Sequence, residues 1–367
     1  MIFTGRLAIQ QRVLPAYRAP FFDTLALSCT GGLSIFAGQP LSEENILPAE
    51  GLAVARYVPA HNLHLFNPAS PFYQCWQTGM LPWLEEWQPQ ALIVEANPRY
   101  HSTPRAVRWM HARQRPVLGW GLGAPLLKGR FAGWRQRSRQ SFLRTLDGII
   151  AYSQHGADEY RQMGIPAQRV FVAPNAAAPR PAWPLPQRSE SSTGRLSILF
   201  VGRLQERKRI DLLLHACAAL PNHLQPHLLI VGEGPDRLRL QALASQVYPA
   251  AEFCGAQHGP GLTPYFLQAD LFVLPGTGGL AVQQAMAYGL PVVVAEGDGT
   301  QDDLVHPGNG WVVPPGDQKA LASILAQALA DLPRLRRMGR ESYRLAKEEV
   351  NLEAMADAFF QALNAVL

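Results

Sequence analysis

Apolar runs alternate with amphipathic stretches through the first half of the chain. Short runs rich in Leu, Ile and Val predict buried strands, and the stretches between them have the spacing of helices. The predicted strands are 6–14, 32–38, 91–96, 116–123, 147–153 and 169–177. The predicted helices are 19–29, 103–113 and 156–164. This alternation predicts an α/β fold with a parallel, doubly wound sheet.

The same alternation resumes after a segment, 179–195, that is rich in Pro and Ser and has no apolar period. We predict an interdomain linker there, between a first domain over 1–178 and a second over 196–348. The second domain is predicted to contain strands at 196–204, 227–235, 251–256, 271–276, 291–297 and 310–317. Predicted helices are 209–220, 236–246, 261–268, 280–289, 318–330 and 352–365. Two such domains bind ligands in a cleft at the carboxyl ends of their strands.

Length and cysteine content narrow the class of protein. The 367 residues suffice for two α/β domains with separate cores. The sequence shows neither a leader with a long apolar core nor a run of 18 apolar residues, so we expect a cytoplasmic protein without a membrane-spanning helix. The cysteines lack metal-ligand spacing and are expected to be reduced thiols.

Basic residues are concentrated between Ala96 and Leu146, where no Asp or Glu occurs, although the net charge is only +5. This basic window contains 11 basic residues, with several aromatic residues between them: Arg99, Arg105, Arg108, Arg113, Arg115, Lys128, Arg130, Arg135, Arg137, Arg139 and Arg144. The window is either a solvated helical surface or a surface that meets an anionic substrate or anionic lipids at the inner face of a membrane. Nucleic acid is not an expected partner, because no recognition motif accompanies the charge.

Two loops after predicted strands have the composition of a phosphate site. Arg203 and Lys208 follow the strand that begins the second domain, just after Gly202, and paired cations there suit a diphosphate. Gly232 and Glu233 follow the next strand in "VGEGP", where glycine permits the close backbone approach that nucleotide sites require.

A third loop, "PGTGG", lies before a predicted helix. Gly276, Gly278 and Gly279 precede the helix that begins near Leu280. Free N–H groups at a helix N-terminus can bind an anion, so the three loops together indicate a nucleotide site. No metal-ligand cluster is apparent in the sequence, and no metal or cofactor is expected.

From about Leu196 to Leu321 the chain resembles the nucleotide-binding half of family-4 retaining glycosyltransferases (group 1 glycosyl transferases), which have the GT-B fold. The resemblance is carried by "FVGRL" with its downstream Lys, "VGEGP", "ADLFVLP", "AMAYGLPVV" and "GNGWVVPPGD", in the family's order and spacing. The first half is similar more loosely, through 146–175 and 13–26. The resemblance implies two Rossmann-like domains that face each other across a cleft, and we expect 349–367 to be a helix that crosses back to the first domain.

The resemblance also implies an activity. A member of this family moves a sugar from a nucleotide diphosphate to an acceptor with retention at the anomeric carbon, typically without a metal. Arg203 and Lys208 would neutralise the departing diphosphate, and the helix end at Gly279 and Leu280 would hold its oxygens. The backbone around Ala256 and Gln257 would meet the base. UDP is the commoner donor nucleotide in this family, and the acceptor would be a lipid-linked or cell-envelope glycan.

The chain departs from the family at the Glu–seven residues–Glu motif. The second Glu, which binds the ribose, falls on Gln284, and the first, near the sugar hydroxyls, falls on Gly276. Gln284 can still donate and accept hydrogen bonds, whereas Gly276 offers only backbone. A first-domain His that many relatives carry falls on Leu122.

Several polar or aromatic residues of the first domain are candidates for contacts to the sugar or acceptor: Arg12, Tyr17, Arg18, Glu95, Trp120 and Leu122. Because both motif carboxylates are absent, two hypotheses remain: an active transferase that retains its phosphate-binding residues, and a non-catalytic nucleotide-sugar or partner-binding protein. An epimerase of the same fold is disfavoured, because it would need carboxylates and His at the cleft and the sequence has few of them there. A dehydrogenase is disfavoured, because the first strand lacks G-x-G-x-x-G with a downstream acidic residue.

Overall fold

The structure, a computed structural model, describes residues 1–44, 46–67, 70, 72–129, 131–190, 194–278, 280–297 and 300–367. The chain divides into two compact units. Unit 1 comprises Met1–Pro179 and Leu352–Leu367, and unit 2 comprises Arg180–Asn351.

The strands, in chain order, are β1 (Leu7–Val13), β2 (Leu33–Gly38), β3 (Arg56–Pro59), β4 (His61–Leu65), β5 (Gln74–Thr78), β6 (Ala91–Glu95), β7 (Val117–Gly121), β8 (Gly148–Ala151), β9 (Val170–Val172), β10 (Ser197–Val201), β11 (His227–Val231), β12 (Ala251–Gly255), β13 (Leu271–Leu274), β14 (Val292–Ala295) and β15 (Gly310–Val313). The helices are α1 (Ala19–Leu27), α2 (Met80–Trp87), α3 (Thr103–His111), α4 (Ala132–Arg144), α5 (Gln154–Gln162), α6 (Ile210–Ala218), α7 (Arg237–Val247), α8 (Thr263–Gln268), α9 (Leu280–Ala287), α10 (Thr300–Leu304), α11 (Gln318–Ala330), α12 (Leu332–Glu348) and α13 (Leu352–Asn364).

Unit 1 is built on a parallel sheet with the order β3-β2-β1-β6-β7-β8-β9. Its strands are almost wholly buried because helices cover both faces. One face packs against α1 and α13, where Phe21 meets Phe359 at 5.0 Å between ring centroids. The other face packs against α2, α3, α4 and α5. An antiparallel hairpin of β4 and β5 is added to this unit.

Unit 2 is built on a second parallel sheet, with the order β12-β11-β10-β13-β14-β15. This is the order of a dinucleotide-binding doubly wound fold, and it reverses between β10 and β13. Apolar strands and the buried faces of α6, α9 and α11 form one continuous core. The loops that follow β10 and β13 therefore flank the point where such folds bind ligands.

The predicted strands and helices are confirmed in both halves, with ends that differ by a few residues. The sequence analysis missed the strands β3, β4 and β5 and the helices α2, α4, α10 and α12. The predicted fold class, two Rossmann-like parallel α/β halves, is confirmed.

The Pro-rich segment that we expected to be a linker belongs to unit 2 from Arg180 onward. Trp183 stacks on Tyr288 at 5.0 Å between ring centroids and donates its indole N–H to the Ala287 carbonyl. Arg188 donates to the carbonyls of four residues at the ends of α8 and α9: Phe266, Leu267, Ala269 and Tyr288. The described part of the segment is therefore anchored on unit 2 through Trp183 and Arg188.

No helix in the described ranges is both long enough and apolar enough to cross a membrane.

Candidate functional site

Lys208 joins the two loops that flank the switch point of unit 2. Its ammonium Nζ donates to the Thr277 carbonyl oxygen at 2.6 Å, across from the loop after β10 to the loop after β13. Arg207 reinforces the same junction, since its carbonyl accepts from the Thr277 N–H and its guanidinium donates to the Thr277 hydroxyl. These hydrogen bonds connect the two loops and place the Lys208 ammonium between them.

Burial and repulsion both act on the Lys208 ammonium. Burial, together with the neighbouring Arg207 charge, lowers the pKa of Lys208 from 10.5 to about 8. A bound anion would offset both effects, because it pairs with the charged form. The ammonium is therefore poised to gain from an anionic ligand.

The glycines of this surface are required by close backbone approach. A Cβ on Gly232, whose φ is +145°, would lie 1.9 Å from the Gly202 carbonyl oxygen. The Gly202 N–H donates to the Val231 carbonyl, and the Leu204 N–H donates to the Glu233 carbonyl. The loops after β10 and β11 are thus hydrogen-bonded side by side, with no space for side chains between them.

The other predicted residues of the first two loops have diverse surroundings. Arg203 is exposed directly after β10 and is in no ion pair with the residues that the structure describes. Glu233 pairs with Arg237 one helical turn later, so its carboxylate is not free. After β12, Ala256 is exposed and Gln257 is half-buried.

The loop after β13 leaves no space for a side chain at residue 276. A Cβ on Gly276 would lie 2.2 Å from the Arg207 carbonyl oxygen and 2.7 Å from the Lys208 Cα. A Cβ on Gly278, whose φ is +125°, would lie 2.3 Å from the Lys208 Nζ. The loop at 207–208 therefore fills the space that a side chain at 276 would need.

The predicted helix after this loop is present as α9. Leu280 is its first residue, and half-buried Gln284 lies one turn further on. Gly279 lies outside the described residues. Gln301 donates to the Gly278 carbonyl at 3.1 Å and holds the loop from the other side.

Unit 1 contains a cavity of about 540 Å³ at the carboxyl ends of β6, β7 and β8. Three predicted residues line it: Glu95, Trp120 and Leu122. The sequence analysis did not single out several other lining residues, among them Tyr73, Tyr152 and Tyr160. Tyr152 could have been found from its position directly after a predicted strand.

Arg18 packs among aromatic rings beside this cavity. Its guanidinium lies 4.9 Å from the Trp120 ring centroid and 5.3 Å from the centroids of Tyr17 and Tyr152. Arg18 is 3% exposed and Trp120 is 1% exposed, whereas Tyr17 is exposed. Arg18 therefore holds the cavity wall, and a direct contact with an acceptor is sterically disfavoured.

Arg12 and Glu95 meet at the switch point of unit 1. The Arg12 N–H donates to the Glu95 carboxylate at 2.7 Å, while the Arg12 guanidinium forms a bidentate ion pair with Glu44. Burial raises the pKa of Glu95, although the hydrogen bond from Arg12 opposes this. The Arg12 guanidinium is therefore paired with Glu44, and the Glu95 carboxyl group lines the cavity.

Within the part of the chain that the structure describes, no group of three or more His, Cys, Asp or Glu side chains is arranged to hold a metal ion.

Comparison with known proteins supports a transferase scaffold. Residues 182–345, within unit 2, match the family model "Glycosyl transferases group 1". The chain is 24% identical over 272 residues to a lipopolysaccharide core biosynthesis glycosyltransferase of Rhizobium meliloti, covering 71% of this chain and 79% of that protein. It is 40% identical over 124 residues to a GDP-mannose-dependent alpha-mannosyltransferase of Mycolicibacterium smegmatis, covering 33% of this chain. The chain spans 31% of the mannosyltransferase and 42–48% of three further curated relatives.

Solved structures extend the similarity to the whole chain. A sucrose-phosphate synthase from Thermosynechococcus elongatus aligns with a TM-score of 0.68 and 20% identity over 97% of both chains. Anabaena Alr3699/HepE, solved in complex with UDP, aligns with a TM-score of 0.69 and 16% identity over 98% of this chain and 99% of that one. The chain therefore has the GT-B fold, and residues 182–345 of its second unit are similar to the group 1 glycosyl transferases.

Proposed function

We propose that the protein is a retaining glycosyltransferase that uses a nucleotide diphosphate-sugar, with UDP as the nucleotide. In the reaction, the bond between the anomeric carbon and the diphosphate oxygen breaks. A bond from an acceptor hydroxyl oxygen to the same face of that carbon forms, and the hydroxyl proton leaves with the diphosphate. The observation that carries the proposal is the half-buried ammonium of Lys208, held between the two loops at the switch point of unit 2, within the residues that match the group 1 model.

Charge at the switch point supports a role in diphosphate departure. Arg203 and Lys208 would stabilise the negative charge that develops on the leaving group, which is commonly a large contribution to such catalysis. Gly232 and Gly276 let the loops after β10, β11 and β13 pack closely together, and this packing brings Gly202 and the Lys208 ammonium to one surface. Arg203 and Lys208 supply positive charge without a metal, and we therefore propose a metal-independent reaction.

The donor contacts follow from the same arrangement. Gly278, Gly279 and Leu280 at the start of α9 would hold phosphate oxygens, and Gln284 would hydrogen-bond the ribose in place of a carboxylate. Ala256, Gln257 and the Glu233 backbone would lie beside the base. Anabaena Alr3699/HepE, which has the same fold, was solved with UDP and with UDP-glucose, and this supports UDP as the donor nucleotide.

We propose a cell-envelope glycan, carried on a lipid, as the acceptor. Named relatives act in lipopolysaccharide core and colanic acid biosynthesis, which supports this class. The mouth of the unit 1 cavity is rimmed by exposed aromatic side chains, with Phe72 52%, Phe131 53% and Trp134 70% exposed. Such a rim, flanked by basic residues, suits peripheral binding to the cytoplasmic face of a membrane, and salt-sensitive binding to anionic rather than neutral vesicles would support it.

The double variant Arg203→Ala with Lys208→Ala tests the donor site. Removing two charge-assisted contacts to a diphosphate is expected to weaken UDP binding about 100-fold or more, as measured by isothermal titration calorimetry. Lys319→Ala, an exposed lysine on α11, is the matched control and is expected to leave the affinity unchanged. Unchanged UDP binding in the double variant would show that the site is elsewhere.

Turnover separates an enzyme from a non-catalytic binder on the same scaffold. A donor panel of UDP-, GDP- and ADP-sugars is expected to include one that the protein hydrolyses slowly or transfers, with chelator present throughout. Tight nucleotide binding without turnover of any donor would favour the non-catalytic alternative.

A further inference from the structure

The structure sorts the basic residues between Ala96 and Leu146 into different environments. Some pack against their own surroundings: Arg105 lies 4.6 Å from the Trp76 ring centroid, and Arg113 lies 3.8 Å from that of Trp109. Arg115 donates to Gln88 and to the Pro89 carbonyl. The basic window is therefore not a single charged face, and these side chains have structural contacts that explain them.

Three other arginines converge on the unit 1 cavity. Arg135 and Arg139 lie one turn apart on α4, on the same side of the helix, and Arg99 comes from the loop after β6. All three line the cavity, which is thus bounded by cations from two separate elements. Arg139 donates to the Pro125 carbonyl at 2.9 Å, and the Arg99 guanidinium donates to the Asn97 side chain at 3.2 Å. Both of these partners are uncharged, so these contacts position the guanidinium groups without neutralising them.

The three charges are not balanced within the cavity. None of the three arginines is in an ion pair with a residue that the structure describes. Burial lowers the pKa of Arg139, and repulsion from Arg135 and Arg99 lowers it further, which shows that the charges act on one another. Glu95 is the one carboxyl group among the lining residues that are described, and burial raises its pKa.

The remaining lining is largely aromatic. Trp134 is exposed and can pack against the apolar face of a pyranose, whereas Trp120 and Tyr73 line the cavity as buried rings. The buried indole N–H of Trp120 has no hydrogen-bond partner within the described ranges. An unpaired buried donor is unfavourable, and a ligand oxygen could satisfy it.

We propose that the unit 1 cavity binds a phosphate group of the acceptor, held by Arg99, Arg135 and Arg139, with the adjoining sugar against the aromatic wall. This inference rests on the proposed transferase function and specifies its acceptor as phosphate-bearing. Three cations against one carboxyl group match a doubly charged phosphate better than a singly charged carboxylate, and guanidinium groups bind phosphate through paired N–H groups. The phosphate belongs either to a phosphorylated sugar or to the head of a lipid.

The test separates this cavity from the donor site by using the Arg203→Ala, Lys208→Ala protein as background. Glucose 6-phosphate is titrated against it by calorimetry, with glucose as the uncharged comparison. Vesicles of phosphatidylcholine with and without phosphatidic acid provide the lipid arm. In that background, Arg135→Gln with Arg139→Gln removes two charges from α4, Arg99→Gln removes one from a different element, and Arg137→Gln is the matched control on the exposed side of α4.

We expect at least one phosphate probe to bind the background protein and to bind at least tenfold more weakly to the Arg135→Gln, Arg139→Gln protein. Arg99→Gln is expected to weaken binding in the same direction, and Arg137→Gln to leave it unchanged. Arginine-dependent binding of glucose 6-phosphate identifies a phosphorylated sugar, and arginine-dependent binding of phosphatidic acid vesicles alone identifies a lipid phosphate. Equal binding in all variants, binding of glucose as tight as that of its phosphate, or no binding of either probe would overturn the proposal.

UDP affinity, measured in the otherwise unaltered protein with only the α4 substitutions, keeps the two proposals distinguishable. It is expected to be unchanged, because the cavity lies in unit 1 and the proposed donor residues lie in unit 2. If the α4 substitutions abolish binding of the phosphate probe but leave UDP binding intact, they affect only the proposed acceptor site. Failure of the otherwise unaltered protein to bind UDP would instead refute the donor site.

Discussion

Lys208 is the residue whose protonation we expect to govern nucleotide affinity. Its pKa, lowered to about 8 by burial and by Arg207, lies within an accessible pH range. A diphosphate binds the charged form and raises that pKa, so binding takes up a proton and weakens as the pH rises above about 8. Between the pKa values of the free and bound protein, UDP affinity should fall on the order of tenfold per pH unit. Calorimetric titrations from pH 6.5 to 9.5 measure this dependence.

Lys208→Arg provides the control for this pH dependence. A guanidinium stays charged throughout the range, so the variant should bind UDP with an affinity that is nearly independent of pH. A wild-type affinity that is flat from pH 7 to 9.5 would mean that this ammonium does not meet the phosphates.

At the scale of single residues, the sequence predicted site residues that lie at the ends of strands. It did not predict contacts between residues that are far apart in the sequence. Arg203, Lys208 and Glu95 were predicted because each follows or ends an apolar strand, and carboxyl ends of parallel strands lie together. The stacking of Arg18 on Trp120 and Tyr152 joins positions more than 100 residues apart, and no local pattern contains that information. The sequence therefore nominated Arg18 for the acceptor, whereas the structure places it inside the wall.

At the scale of elements, Arg188 is a central anchor of the segment 180–190. Arg188 donates to four carbonyls at the ends of α8 and α9, where unpaired C=O groups and the helix dipole both favour a positive charge. We predict that Arg188→Ala destabilises unit 2 by about 2–3 kcal/mol, because buried carbonyls lose their donor. Chemical denaturation with UDP absent measures the loss.

Gln187→Ala is the matched control for Arg188. This neighbour is exposed, and its replacement should change the free energy of unfolding by less than about 0.5 kcal/mol. Equal stability of both variants would show that the segment is not anchored through the arginine.

Elements were predicted well where apolar spacing was strong and missed where it was weak. The hairpin strand β4, "HNLHL", alternates exposed and half-buried residues and has no buried position, so it lacks an apolar face. The helix α2, "MLPWLEEW", contains Pro82, a residue that usually interrupts a helix, but the proline lies in the first turn where it is tolerated. The helix α4 buries only Phe142 and Leu143, so its polar composition concealed its periodicity.

At the scale of the molecule, each unit has a core of its own, and we expect the two to unfold separately. Phe359 of α13 packs on Phe21 and lies 5.1 Å from Trp120 between ring centroids, at the centre of the unit 1 core. Phe359→Ala should destabilise unit 1 by about 3–5 kcal/mol. Saturation with UDP at about 100 times its Kd should raise the stability of unit 2 by about 2.7 kcal/mol. Differential scanning calorimetry resolves both effects.

The same experiment has a clear contrary result. If the substitution and the nucleotide shift one common transition, the two cores unfold together and the division into units has no thermodynamic counterpart. A lowered first transition with an unchanged UDP-sensitive transition is the expected outcome. Leu367→Ala, exposed at the end of the chain, serves as the neutral comparison.

The crowding around Gly276 also limits how the proposed donor site could be engineered. Introducing glutamate there would require the peptide at 207–208 to withdraw first, and that movement would take Lys208 away from the Thr277 carbonyl. A designed carboxylate for the sugar would therefore have to be placed at another position.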